Sequence, residues 1–79
     1  MTRTGRIVAR LQRRHKLTDE QYGVAIGVTG GAIRHYKAGR REPKLLVVYR
    51  RWEAGDAIAG ELLAELMPAL RRAIEEAKC

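Results

Sequence analysis

Leu17 to Pro43 reads LTDEQYGVAIGVTGGAIRHYKAGRREP. Its pattern predicts two short helices joined by a tight turn. Thr18 is a helix-start residue, because its hydroxyl can accept a bond from a free N–H of the first turn. Asp19 and Glu20 follow where the positive end of a helix dipole favours anions. The first helix is expected from Asp19 to Ile26. Gly27 closes it in a left-handed conformation, and Val28 and a second cap, Thr29, lead into a helix from Gly30 to Lys37 that ends at Gly39. Tyr22, Ile26, Ile33 and Tyr36 fall at helical spacing and supply the inward apolar face. Gly23 is small where the two helices approach.

Working outward, Thr4 is placed to cap a helix from Gly5 to Lys16 with Ile7, Val8 and Leu11 as its apolar stripe. Arg3, Arg6, Arg10, Arg13, Arg14 and Lys16 cover its remaining faces, as solvated charge or as phosphate contacts; His15 reads as a surface residue. Pro43 pre-sets the first turn of a helix from Lys44 to Ala54. Leu45, Val48, Tyr49 and Trp52 share one side of it, with Trp52 a core or interface residue. LLVVY has strand propensity as well. Gly55 closes that helix and Asp56 caps the next. Ala57 to Lys78 carries Ile58, Leu62, Leu66, Leu70 and Ile74 at steps of four, with Leu63 and Met67 beside them. Pro68 interrupts the run, so a kink is expected near Met67. The reading is all-α: four or five helices with a C-terminal helical extension kinked near Pro68. It divides into residues 1–55 and a segment 56–79 whose wide stripe points to self-association. Leu62, Leu66, Met67, Leu70 and Ile74 are the candidate dimer residues.

The charge is uneven. Met1–Arg51 holds 13 Lys and Arg against 3 Asp and Glu, a net of +10; Trp52–Cys79 holds 3 against 6, a net of −3. A basic part joined to an acidic tail implies a polyanion-binding surface and a separate assembly element. Cys79 is the single cysteine and forms no internal disulfide. No apolar run reaches the ~20 residues of a membrane helix, and a cytoplasmic protein is expected. Catalysis is not: there is no serine, GVTGGAIRHYKAG lacks the Lys-Ser/Thr of a P-loop, and one cysteine with two histidines makes no metal cluster. No cofactor, metal or small-molecule substrate is expected.

Leu17-Thr18, Gly23, Gly27-Val28-Thr29, Ile33, Gly39, Arg40-Arg41 and Pro43 stand without insertion or deletion where the lambda-repressor-like helix-turn-helix domains (the Cro and xenobiotic-response-element type) carry their usual residues. The chain resembles that family over about residues 5–52. The resemblance implies a sequence-specific DNA-binding regulator, a small dimeric repressor whose second motif helix enters the major groove of an operator with half-sites ~34 Å apart. It places base contacts at Gly30, Gly31, Arg34 and His35, and phosphate contacts at Thr29, Lys37, Arg40, Arg41, Gln21 and Thr18. Three positions depart from the family. Gly30 and Gly31 stand where side chains usually read bases, which leaves readout to Arg34 and His35. Asp19 stands where glutamine is frequent, and phosphate would repel it unless a cation neutralises it. Other classes remain open. Ile26–Ile33 also fits the I-G-x-x-G-x-x-I pattern of KH-like RNA-binding domains. The same helical fold can also serve an antitoxin or adaptor as a protein-binding module.

Overall fold

The computed structural model describes residues 2–77, without the side chain of Ala77. The expectations for Lys78 and Cys79 lie outside the described residues. The elements are helices throughout: α1 Arg3–Arg14, α2 Asp19–Ile26, α3 Gly30–Ala38, α4 Leu45–Glu53, α5 Ala57–Leu66, a 3-10 turn over Pro68–Leu70, and α6 Arg71–Ala77. No strand occurs among the described residues, and LLVVY forms the first half of α4. The sheet on which a KH domain depends is therefore missing from them.

Local rules set the helix limits. α1 begins two residues earlier than predicted. Thr2, not Thr4, is its cap, with its hydroxyl accepting from Gly5 N–H at 3.0 Å. Thr4 is buried instead and donates to Glu42 Oε2 at 2.6 Å, which fastens α1 to the loop before α4. α1 also ends before Lys16, which takes φ +53°. The Leu17 N–H bonds to the Gln12 carbonyl and the Lys16 N–H to that of Arg13. This is the helix-ending pattern usually given to glycine; α2, α3 and α4 use it with Gly27, Gly39 and Gly55, all at positive φ. Pro43 is buried just outside α4, and Lys44 rather than the proline stands at that helix start.

Ile7, Val8, Leu11, Tyr22, Ile26, Ile33, Tyr36, Val48, Ala59, Leu62, Leu63 and Ile74 form one core. Residues 57–74 thus complete the same core that residues 7–48 begin. α4 is rotated from its predicted orientation. Val48 alone is fully buried, while Leu45 is 38% and Leu46 60% exposed. The cause is the seat α4 takes on α2, where Val47 and Arg51 pack against Gly27. Trp52 is half-buried over Gly60 and meets the Tyr49 ring edge-on at 5.5 Å. Pro68 breaks the tail as expected, since proline lacks the N–H that would continue α5. Two of the five candidate dimer residues are not open to a second copy as expected: Leu62 and Ile74 are 0% and 1% exposed within the chain. The break at Pro68 folds α6 back against α5 and lets Ile74 enter the core beside Gly60. Leu66, Met67 and Leu70 pack at the core edge and stay half-exposed.

Gly23 admits a close approach of backbone to backbone. A Cβ there would stand 2.6 Å from the Val28 carbonyl oxygen and 2.9 Å from the Thr29 carbonyl carbon. The approach is to the backbone of the turn after α2, not to α3 itself. Neither atom can move without breaking the turn, so Gly23→Ala is expected to lower stability by about 1–3 kcal/mol, read as a lower urea midpoint with helical content retained.

Candidate nucleic-acid interface

The α2–α3 pair is built from reciprocal caps. The Thr18 hydroxyl accepts from Gln21 N–H at 3.1 Å, and the Gln21 side-chain oxygen accepts from Thr18 N–H at 2.8 Å. Such a capping box satisfies two N–H groups that the first turn leaves open. At the α2 end, Gly27 at φ +84° reverses the chain, and Val28 N–H bonds to the Gly23 carbonyl at 2.8 Å. Thr29 caps α3 through Ala32 N–H at 3.1 Å. Ile33 and Tyr36 then point inward at 0% and 5% exposure, and burial pushes the Tyr36 phenol up against the pull of Arg41. Their burial turns the Arg34 side of α3 to solvent, where its side chain is 57% exposed.

Sequence reasoning missed what Asp19 does. Its carboxylate joins three helices: Lys37 Nζ lies 2.7 Å away, Gln12 Nε2 donates at 2.8 Å, and Arg34 Nη1 lies 3.4 Å away. Arg34 Nη1 is also 3.4 Å from Glu20 Oε1. The hydrogen bonds from Lys37 and Gln12 hold the Asp19 carboxyl below its ordinary value of 3.8, although burial opposes them. Asp19 is thereby neutralised from within the chain. Partners 18 and 15 residues distant in sequence leave no local signature, so only the oddness of an aspartate at this site hinted at them.

Not all of the expected contact residues keep a free end. Lys37 is spent on Asp19 and is 29% exposed, so it does not stand ready for phosphate as predicted. Arg40 Nε donates to His35 Nδ1 at 3.0 Å. A ring that accepts at Nδ1 carries its proton on Nε2, the nitrogen left to donate. Arg40 and Arg41 are exposed beyond Gly39. Thr18, Gln21 and Thr29 are exposed too, with one polar group each committed to a cap. Gly30 and Gly31 lie at the front of α3, and Glu20 covers the first of them. Arg51 turns inward, donating to the Ala25 carbonyl at 3.4 Å.

On α1, Gln12 faces Asp19, whereas Arg3 donates to the Glu65 carbonyl at 3.3 Å and Arg10 meets the Glu65 carboxylate at 2.7 Å on α5. His15 also turns to α5, to Glu61 at 2.5 Å. Arg3 and Arg10 of α1 therefore border α5 rather than α3. No group of His, Cys, Asp and Glu suited to a metal ion occurs among the described residues, and no helix is long and apolar enough to cross a membrane.

The depressed Asp19 pKa fixes a direction for acid stability. A group whose folded pKa is lowered contributes fully above its unfolded value, and that contribution is lost as pH falls through the folded one. Asp19→Asn should be less stable than the parent at pH 7. The difference should shrink below about pH 4, when urea midpoints at pH 7 and pH 3 are compared. An equal difference at both would assign the loss to packing.

No family model, curated protein or solved structure matches the chain.

Proposed function

We propose that this protein is a sequence-specific DNA-binding transcriptional regulator, a small homodimeric repressor of the Cro type. α2 and α3 act as its helix-turn-helix, with α3 in the major groove. The observation that carries the reading is the division of α3. Ile33 and Tyr36 are sealed in the core, while Arg34 stands in solvent with Arg40 and Arg41 beyond the helix end. A bidentate arginine can read a guanine edge. The exposed arginines after Gly39 suit the phosphate backbone, which accounts for most non-specific affinity and its salt dependence. Occupying an operator would block transcription sterically.

A protein-binding module on the same helices, an antitoxin or adaptor, is the second reading. Val24 at 70% and Leu46 at 60% exposure favour it, because they are large apolar side chains left open on α2 and α4.

Selection from a random duplex pool tests the main reading. A palindromic consensus is expected, and recovery of unenriched DNA would favour the protein-binding module. On the selected site, Arg34→Ala should cost about 1–3 kcal/mol and relax one base position. Arg40→Ala should weaken binding on every sequence and lower the salt slope by about one. Equal losses on all sequences for Arg34→Ala would reassign that residue to phosphate.

The dimer contact is assigned to Leu66, Met67 and Leu70, the stripe residues that the protomer leaves half-open. Leu70→Asp should give a monomer by light scattering with the helical fold retained. A parent protein that is itself monomeric would reject the dimer.

A further inference from the structure

α3 opens with two residues that lack side chains, and the space before them is filled from elsewhere. A Cβ on Gly30 would stand 2.8 Å from Glu20 Oε1. A Cβ on Gly31 would stand 3.8 Å from Arg34 Nη2, an ordinary contact. A helical side chain leans toward the N-terminus of its own helix, so Arg34 covers the turn before it. Its guanidinium lies between two carboxylates, with Nη1 3.4 Å from both Asp19 Oδ2 and Glu20 Oε1. Lys37 saturates the other Asp19 oxygen at 2.7 Å. Two cations of α3 thus meet two anions from the first turn of α2, and the local charge is balanced although residues 1–51 carry a net of +10.

We propose that Asp19 and Glu20 are positioning residues that hold the Arg34 guanidinium across the paired glycines as the base reader of the first two turns of α3, aimed at a guanine edge and away from backbone phosphate. The inference rests on α3 being the helix that faces DNA. A guanidinium presents five N–H donors in one plane. With Nη1 tethered, its remaining donors are steered rather than free, and two of them match the O6 and N7 acceptors of guanine. The carboxylates also discriminate by charge. A phosphate brought to the same place finds the arginine's charge already balanced by the carboxylates, whereas a guanine edge needs donors and not net charge. This is specificity gained by disfavouring the wrong contact. Gly30 has a reason here that its lost base contact does not supply: any side chain would displace Glu20.

The test uses Glu20→Gln, at a side chain that is 70% exposed, together with Asp19→Asn. Binding is measured by fluorescence anisotropy on three duplexes: the site selected from the pool, the same site with each guanine replaced in turn, and a random sequence. Both variants are expected to bind the random duplex more tightly and to lose discrimination at one guanine by roughly tenfold. In the Arg34→Ala background that loss should vanish, because the carboxylates act through the arginine. Unchanged discrimination in both variants, or an equal loss without Arg34, would overturn the proposal. So would the same loss from Glu53→Gln, an equal charge change on α4. A parent protein that selects no site overturns the DNA reading itself, a different failure.

Discussion

The burial of Ile33 is the constraint on which the surface of this molecule depends. Sealing a side chain of that size from water contributes about 1.5–3 kcal/mol, and it has one seat, among the other side chains of the common core. With Ile33 and Tyr36 inward, the rotation of α3 is fixed and Arg34 has nowhere to point but out. The face left to solvent is the complement of the buried one.

Backbone chemistry then fixes where α3 begins. Gly23 lets the turn after α2 fold against α2 itself, and Gly27 reverses the chain without steric cost. The two threonine caps close open N–H groups at both helix starts. These devices are short-range, and each could be read from neighbouring residues. The tail is different. Its apolar stripe looks like a seam for a second subunit until Pro68 is allowed to break it. The break returns α6 to the rest of the chain, where Ile74 helps to finish a core that α1 to α4 leave incomplete.

Charge follows the same division. Counting residues makes the first two-thirds strongly basic, but much of that charge is already engaged. Lys37 answers Asp19, Arg10 answers Glu65, and Arg51 turns to the end of α2. The exposed arginines beyond Gly39 do not close on a carboxylate in this way. A net charge therefore counts the cations, while only the pairing says which of them stay open to solvent.

The sequence by itself determined the all-helical class, the two capped helices about Gly27, the inward set Tyr22, Ile26, Ile33 and Tyr36, and the break at Pro68. Each follows from periodicity or from the conformational limits of one residue, and these act within a turn or two of chain. Tertiary structure alone decided three things: that Leu62 and Ile74 belong to their own core, that α4 rotates to seat Val47 and Arg51 on Gly27, and that Asp19 is bound by Gln12, Arg34 and Lys37. Those contacts join segments distant along the chain. Their partners are chosen by how the helices pack, which no local pattern records.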